Sequence, residues 1–513
     1  MNGAESLVRT LLGAGVDTCF ANPGTSEMHF VAALDQIPGM KCVLGLQENV
    51  VTGMADGYFR IARKPASTLL HCGPGLANGM GNLHNARRAR AGIVNIVGDQ
   101  ATYHAKHDAP LQADTDAMAR TVSNWVHTST RSDQVGADAA RAIQAANSTP
   151  GQIATLILPS DTSWDEAGAV AAPLPAPDPA QIDPATVQNA ARALREEGKV
   201  LILLAGHGVF APAQDLAWRL AQATGATLMA DYVTSHLARG RGRLPLNRVP
   251  YNTDLARETL APFKTIILVG AKPPVGFFAY PGKPSTQYAD DARFIRLSRP
   301  DQDAVAALQA LVDELDAPAA AIPDPGPRPD APTGDCSPEG LARAVAALMP
   351  ENAIISDESL SYGRGFYPHT FAAPAHDWLH LAGGAIGDGL PVATGAAIAG
   401  KGARRVISLQ ADGSAMYSLQ SLWTQAREKL PCTTVIISNR KYQILIGEYG
   451  NVGATPGKTA MDMLDLSNPD LNWVSLANGM GVEAAVATNL DELCDLMRSS
   501  FTRPGPFLIE LIV

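Results

Sequence analysis

The chain has few cysteines, no long uncharged apolar run and no excess of basic residues, and each absence excludes a class of protein. The six cysteines are dispersed and form no C-x-x-C pair, which excludes a zinc ribbon or disulfide framework and favours a reducing cytoplasm. Because no run of about 18 uncharged apolar residues occurs, we expect neither a signal peptide nor a membrane span. Lys and Arg number 40 against 50 Asp and Glu, so no nucleic-acid partner is expected.

What is present indicates several large cores. The 513 residues are too many for one ordinary domain, and 46% of them are hydrophobic. Two Pro/Ala-rich stretches, 161–182 and 317–338, indicate linkers, because proline removes backbone hydrogen bonds that helices and strands need. They divide the chain into predicted domains at 1–165, 183–316 and 338–513.

Each predicted domain alternates helical stretches with short apolar runs that are typical of buried parallel strands. A helix is predicted from Ala4 to Leu12 and another around Asn78 to Arg90. The pattern predicts the α/β class, with three similar doubly wound parallel sheets. The predicted strands are residues 15–20, 67–71, 93–97, 200–204, 226–230, 265–269, 353–356, 405–409, 433–438 and 507–512.

Polar residues follow two of the predicted strands in the third domain. Asp412-Gly413-Ser414 follows one strand, and Asn439 follows the next. Ligands of open parallel sheets bind outside the carboxyl ends of strands, where such side chains can converge. Carboxylate, amide and diphosphate oxygens suit Mg²⁺, and NH groups at a helix start suit phosphate. Standing alone, Asp-Gly-Ser is more often a turn with a helix cap.

A glycine-rich stretch precedes this motif. Residues 382–391 read Ala-Gly-Gly-Ala-Ile-Gly-Asp-Gly-Leu-Pro and lead into a helix of small residues. Glycines permit a ligand to approach the backbone closely. The alternative is tight packing of the loop against a neighbouring helix.

Together these motifs resemble the metal and diphosphate signature of thiamine-diphosphate enzymes, Gly-Asp-Gly-Ser followed by Asn-Asn near a strand end. Ala411 and Ser438 depart from it, but neither position supplies a side-chain metal ligand in that family. The resemblance spans nearly the whole chain. It implies a pyrimidine-binding domain, a central domain and a diphosphate-binding domain, with thiamine diphosphate and Mg²⁺ as cofactors.

The resemblance also implies roles for individual residues. Asp412, Asn439 and the backbone carbonyl of Lys441 match the metal ligands. Gly384 matches a carbonyl that binds the aminopyrimidine ring of the cofactor, and Ile386 matches the apolar side chain that holds the cofactor bent.

Glu48 matches the activating glutamate of the family, whose carboxylate is hydrogen-bonded to the aminopyrimidine ring. It lies in residues 46–58, which end in the Ala-Asp-Gly-Tyr that accompanies this helix. The alternative is a glutamate that only stabilises a helix N-terminus. In these enzymes the glutamate's domain faces the diphosphate domain of a neighbouring subunit. The resemblance therefore implies at least a homodimer, and a homotetramer is expected.

Within the family, the chain is most similar to benzoylformate decarboxylase and acetolactate synthase. Residues 22–27 resemble a substrate loop, in which Thr25 stands for a serine that contacts substrate. His71 matches a histidine that transfers protons, although a lone histidine can also be structural. The remaining cofactor-contacting positions that the resemblance implies are Pro23, Gly24, Asn78, Glu358, Leu360, Ser361, Gly413, Ser414, Tyr417 and Tyr442.

Several departures bear on the substrate. Phe277 or Phe278 stands where benzoylformate decarboxylase has a second catalytic histidine, and Glu448 adds a carboxylate on the substrate side, so benzoylformate fits poorly. Residues 100–110 could bind a carboxylate substrate or line a subunit contact. The glycines of 205–208 are too short a signal for FAD, which is not favoured.

The expected function is decarboxylation and carboligation of a 2-keto acid, as in acetolactate synthase. A 2-keto acid decarboxylase that releases an aldehyde stays open as an alternative, and so does a catalytically silent subunit of the same fold. A nicotinamide-dependent oxidoreductase is disfavoured because no G-x-G-x-x-G follows the first strand.

Overall fold

A computed structural model describes residues 1–196 and 198–513 of the chain. It contains three β-sheets with helices around them, which confirms the α/β class and the three-sheet architecture. The domain limits assigned from sequence stay predictions. In the part of the chain described, no helix has both the length and the apolar character needed to cross a bilayer.

The first sheet is wholly parallel and is built from six strands: β1 (Thr18–Asn22), β2 (Lys41–Leu44), β3 (Ala66–Leu70), β4 (Ile93–Asp99), β5 (Trp125–Thr128) and β6 (Ile153–Pro159). Their order in the sheet is β2-β1-β3-β4-β6-β5. The helices of this part are α1 (Gly3–Gly13), α2 (Met28–Gln36), α3 (Glu48–Ala62), α4 (Cys72–Ala89), α5 (Thr115–Val122), α6 (Val135–Ala146) and α7 (Ser160–Trp164).

The second sheet has four parallel strands, which are β7 (Val200–Leu204), β8 (Thr227–Ala230), β10 (Thr265–Val269) and β11 (Arg293–Ser298). Their order is β11-β10-β7-β8, and the central pair is almost wholly buried. The helices around this sheet are α8 (Pro184–Arg195), α9 (Ala211–Thr224), α10 (Thr253–Leu260) and α11 (Ala304–Glu314).

The third sheet consists of β9 (His236–Arg239), β12 (Ile354–Glu358), β13 (His376–His380), β14 (Val406–Ala411), β15 (Cys432–Ser438), β16 (Glu483–Ala487) and β17 (Phe507–Ile512). Its order is β16-β17-β15-β14-β12-β13-β9. The accompanying helices are α12 (Pro338–Leu348), α13 (Leu360–Gly363), α14 (Phe366–His369), α15 (Gly389–Ala399), α16 (Asp412–Ala415), α17 (Ser421–Arg427), α18 (Gln443–Val452), α19 (Lys458–Asp462), α20 (Trp473–Gly479) and α21 (Leu490–Phe501).

Strand β9 was not expected, because it comes from the segment between the two predicted linkers yet joins the third sheet. It pairs antiparallel with β13, whereas the other pairs of this sheet are parallel. The buried Arg239 guanidinium fixes it by donating hydrogen bonds to the Tyr367 carbonyl and the Thr370 hydroxyl, both at 2.7 Å. His-Leu-Ala-Arg carries no apolar run, so the sequence contained no strand signal there.

Helices α3 and α15 join the first sheet to the third through backbone contacts that only glycine permits. A Cβ at Gly57 would lie 2.1 Å from the Val392 carbonyl oxygen, and one at Gly395 would lie 1.9 Å from that of Met54. Both helices begin near the residues expected to form the site. Their packing therefore fixes the start of α3 relative to the glycine-rich loop of the same chain.

A buried charge cluster crosses the same contact. The Arg60 guanidinium donates to both carboxylate oxygens of Asp56, and its Nη2 lies 3.5 Å from the Asp388 carboxylate. It also donates to the His380 carbonyl at 2.6 Å. Because an unpaired buried charge is costly, the cluster requires α3 and the start of α15 to stay in one arrangement.

Gly57→Ala should destabilise the protein by ~1–3 kcal/mol, because the new methyl group would overlap the Val392 carbonyl. The measurement is the midpoint of thermal unfolding. Gly13→Ala is the matched control, since a Cβ at this other helical glycine meets nothing within 4 Å. Equal midpoints for the two variants would contradict the close contact between α3 and α15.

Candidate active site

The first half of the site lies where α3 and α4 begin. Glu48 and His71 flank Gly75, since a Cβ there would lie 3.3 Å from Glu48 Oε1 and 3.4 Å from His71 Cβ. Asn78 donates a hydrogen bond to Glu48 Oε2 at 3.1 Å. The structure thus brings these three predicted site residues together. Gln47 caps α3 by accepting from the Val50 NH, so capping is not left to Glu48.

His71 is held by a buried carboxylate that the sequence analysis missed. Glu27 Oε2 lies 2.9 Å from His71 Nδ1 and accepts a hydrogen bond from the Gly24 NH at 2.7 Å. Glycine is required at 24 because a Cβ there would lie 2.3 Å from the imidazole ring. The available signal was Glu27 itself, which ends the predicted substrate loop. The exposed Thr25 precedes Ser26, whose hydroxyl lies 3.3 Å from His71 Nδ1.

The second half lies at the carboxyl ends of β14 and β15, which are neighbours in the sheet. Asp412 is buried, and its Oδ2 accepts a hydrogen bond from the Arg440 NH at 2.7 Å. Asn439 Oδ1 accepts from the Lys441 NH at 3.1 Å. The Asp412 carboxylate therefore holds the turn that carries Asn439. The predicted ligands lie together at the carboxyl ends of these two strands. Burial raises the pKa of Asp412, while the NH groups of Arg440 and Gly413 oppose the shift.

The residues at this edge have the chemistry that a diphosphate and a hard cation require. The buried Ser414 hydroxyl has no hydrogen-bond partner among residues 1–196 and 198–513. Glycine is needed at 413, because a Cβ there would lie 2.5 Å from the Tyr442 ring. An unsatisfied hydroxyl beside a carboxylate and an amide oxygen fits phosphate and Mg²⁺.

Two tyrosines connect this edge to the glycine-rich loop. Tyr442 packs on Gly413, and Tyr417 packs on Gly387, where a Cβ would lie 2.5 Å from Tyr417 Cβ. Burial, followed by the neighbouring Tyr417 hydroxyl, raises the pKa of Tyr442. Both predicted tyrosines thus lie between the Asp412 and Asn439 pair and the glycine-rich loop.

Glu358 fixes the glycine-rich loop through hydrogen bonds to its backbone. Its buried carboxylate accepts hydrogen bonds from the NH groups of Gly387 and Gly389, both at 2.7 Å. Burial raises its pKa to about 7. In this structure both carboxylate oxygens bind the loop. The diphosphate contact expected for Glu358 stays a prediction. Leu360, in a left-handed conformation with φ of 49°, and Ser361 start helix α13 just beyond it.

A line of asparagines on α4 connects the two halves within one chain. Asn78, Asn82 and Asn85 are spaced i, i+4 and i+7, so they share one face of the helix. Asn78 binds Glu48, whereas Asn82 donates to the Gly387 carbonyl at 3.2 Å and Asn85 to that of Ala385 at 2.7 Å. The spacing was visible in the sequence, but the partners were not.

Aromatic side chains of the second sheet's loops cover the glycine-rich loop. A Cβ at Gly384 would lie 2.5 Å from Phe277 Cζ, and the Phe277 ring packs on Phe278 at 5.0 Å. Ile386 is half-buried in the same loop. Phe277 also lines a cavity of about 970 Å³ that extends between the first and second sheets.

Glu448 lies on α18, whose first turn follows Tyr442 directly. Burial, together with a hydrogen bond to Glu448, raises the pKa of Tyr280. The Arg364 guanidinium stacks on Tyr251 at 4.4 Å, and burial, followed by the Glu448 charge, raises the pKa of Tyr251. Glu448, the carboxylate noted in the sequence, thus interacts with Tyr280 and Tyr251 of the predicted central domain.

Comparison with known proteins agrees with this geometry. The family descriptions "Thiamine pyrophosphate enzyme, N-terminal TPP binding domain" and "Thiamine pyrophosphate enzyme, C-terminal TPP binding domain" match residues 1–120 and 366–511. The chain is 49% identical, over 100% of its length and 99% of the relative, to a Mycobacterium tuberculosis protein provisionally named acetolactate synthase large subunit IlvX. It is 28% identical to benzoylformate decarboxylase of Pseudomonas aeruginosa, over 97% and 96% of the two chains.

The fold has close structural counterparts as well. The solved structure of the thiamine diphosphate-dependent 4-hydroxybenzoylformate decarboxylase of Rhodococcus jostii RHA1 is similar, with a TM-score of 0.85 at 25% identity. The match covers 99% of this chain and 98% of that one.

The buried Glu358 predicts a pH dependence of stability. Its pKa rises from 4.5 to about 7 on folding, so the unfolded chain binds fewer protons between these values. The contribution of Glu358 to stability is therefore present below about pH 4.5 and falls by up to ~3 kcal/mol as the pH rises through about 7.

Glu358→Gln removes this dependence, so the stability of the wild type minus that of the variant should fall across the same range. Chemical unfolding at several pH values measures the difference. A difference that stays constant, or grows with pH, would contradict the account of Glu358.

Proposed function

We propose, since the chain belongs to the family of thiamine pyrophosphate enzymes, that it uses thiamine diphosphate and Mg²⁺ to decarboxylate a 2-keto acid and to join the remaining acyl unit to a second carbonyl compound. The observation that carries the proposal is the position of Glu48, beside His71 and Asn78, on a helix packed against the one that follows the glycine-rich loop.

The cofactor would be held mainly by the third-sheet residues. Asp412, Asn439 and the Lys441 carbonyl would bind Mg²⁺, supported by their convergence at one sheet edge. The Gly413 NH and the unsatisfied Ser414 hydroxyl would bind the diphosphate. The Gly384 carbonyl and the Ile386 side chain would contact the pyrimidine end, and the asparagine contacts keep that loop in place. Pro23, Gly24, Leu360 and Ser361 stay predicted cofactor contacts.

When bound, thiamine diphosphate supplies the electron sink that allows a 2-keto acid to lose CO₂. The Glu48 carboxylate would exchange a proton with the aminopyrimidine ring through Oε1, the oxygen that Asn78 does not contact. Asn78 orients Glu48 by donating to Oε2. Because Gln47 satisfies the helix start, the Glu48 carboxylate is free for this role.

His71 would move protons at its Nε2 atom. Nδ1 faces Glu27 at 2.9 Å, so a neutral imidazole that donates its Nδ1 proton to that carboxylate would keep the lone pair on Nε2. The buried Glu27 also fixes the orientation of the ring. Thr25, exposed at the start of the same loop, is placed to contact the substrate.

The apolar side chain that packs against Gly384 favours carboligation over simple decarboxylation. Phe277 contacts this loop. Phe277 or Phe278 matches the second catalytic histidine of benzoylformate decarboxylase, so an apolar ring would replace a proton donor there. With one proton donor fewer, capture by a second carbonyl compound competes better with protonation. The acetolactate synthase name of the 49% identical relative supports the same choice.

The second candidate function is a 2-keto acid decarboxylase that releases an aldehyde. The names of the Pseudomonas and Rhodococcus relatives favour it. Glu448 and Tyr280 add polar groups near Phe277, and these would favour a donor acid with a polar side chain over an aromatic one.

A homodimer is part of the proposal, with a homotetramer expected from the family. Several large apolar side chains around both halves of the site are exposed in the single chain, and a second subunit would cover them. They are Met28, Leu46, Leu111, Tyr417, Leu445 and Met463.

Glu48→Gln should lower turnover of 2-keto acids by about 10²–10⁴-fold, the usual contribution of a positioned acid or base. Thiamine diphosphate binding should persist in this variant, because Asp412 and Asn439 are untouched. Rates of CO₂ release and fluorescence titration of the cofactor measure the two effects.

Glu339→Gln is the matched control, since Glu339 also lies in the first turn of a helix but is exposed at α12. Its turnover should equal that of the wild type. Turnover by Glu48→Gln equal to that of an active wild type would contradict the role given to Glu48, whereas the absence of turnover in both proteins would support a catalytically silent subunit.

A further inference from the structure

We propose that Glu27, His71 and Cys72 form a binding site for Zn²⁺ that is separate from the Mg²⁺ site and controls the availability of His71. The carboxylate, His71 Nδ1 and Cys72 Sγ lie within 4.8 Å of one another, on the loop after β1 and at the end of β3. The Ser26 hydroxyl lies between them, 3.0 Å from Cys72 Sγ and 3.3 Å from His71 Nδ1.

These separations suit a four-coordinate ion. Zn²⁺ binds nitrogen, oxygen and sulfur ligands at about 2.0–2.3 Å, which places tetrahedral ligands roughly 3.5 Å apart. Ser26 Oγ is already spaced near this value from both His71 Nδ1 and Cys72 Sγ. Rotation of the Glu27 and Ser26 side chains would admit the ion between them.

The backbone holds the ligands in this arrangement. A Cβ at Gly98 would lie 1.7 Å from Glu27 Oε1, so the carboxylate rests against β4. Cys72 has a left-handed conformation with φ of 52°, which turns its side chain toward Ser26 at the start of α4. Glu27 and Cys72 are buried, whereas the His71 side chain is 24% exposed, so the ion would enter past the imidazole.

The ligand chemistry distinguishes this site from the one at Asp412. A thiolate and an imidazole suit Zn²⁺, while Mg²⁺ takes oxygen ligands in octahedral geometry. Binding releases the proton of the Cys72 thiol, because the thiolate is the ligand. The ion would also take the place of the proton on His71 Nδ1, so the neutral imidazole would carry its proton on Nε2 and lose the lone pair that proton transfer needs. The resulting inhibition rests on the proposed function of His71, whereas the binding itself does not.

Co²⁺ is the probe for binding, because a cobalt–thiolate bond gives a charge-transfer absorption band. Titration of the full-length protein, loaded with thiamine diphosphate and Mg²⁺, should produce this band at one ion per chain, and Zn²⁺ should displace it. Cys72→Ser should lose the band, and His71→Gln should weaken Co²⁺ binding at least about tenfold. Cys42→Ser is the matched control, since Cys42 is an exposed free thiol and should leave the band unchanged.

A band that persists in Cys72→Ser, or disappears in Cys42→Ser, would overturn the proposal. If Cys72→Ser does not fold, an unchanged affinity in His71→Gln would overturn it equally. Zn²⁺ should also inhibit turnover by the wild type but not turnover by Cys72→Ser, which lacks the thiolate ligand. Displacement of Co²⁺ by Zn²⁺ without inhibition would support the site and contradict the role given to His71.

Discussion

The structure depends on the packing of α3 against α15. At this contact, Gly57 and Gly395 allow each helix to lie against the backbone of the other, and Arg60 pairs with Asp56 and Asp388 without access to water. Helix α3 begins at Glu48, and α15 begins where the glycine-rich loop ends. A shift of either helix would therefore move Glu48 relative to the glycine-rich loop of the same chain, and with them the two half-sites that each subunit would present in the proposed dimer.

Three carboxylates of the site illustrate how surroundings decide a role. Glu48 is half-buried and binds a single amide, which leaves an oxygen free for proton exchange. Glu358 is buried with both oxygens committed to backbone NH groups, so it positions a loop. Asp412 is buried at the carboxyl end of β14, beside the Asn439 amide and the unsatisfied Ser414 hydroxyl, where a cation would stabilise its charge.

Much of the fold could be predicted because buried parallel strands leave long apolar runs, and residues 200–204, 265–269 and 507–512 form strands as expected. Strand β9 could not, since its place in the sheet depends on a hydrogen bond from its own Arg239 to the carbonyl of Tyr367, which lies far away in sequence. In the site, Glu48 and Asp412 were visible in motifs. Glu27 also ended a motif, but its role was not visible, because it comes from a contact with a residue 44 positions away.

The central claim is tested most directly by CO₂ release from pyruvate and benzoylformate, with the products identified with and without an added aldehyde. The account predicts release that requires thiamine diphosphate and Mg²⁺, with an acyloin formed when the aldehyde is present. Release of free aldehyde alone would favour the decarboxylase. Failure of the purified protein to bind thiamine diphosphate would contradict the account.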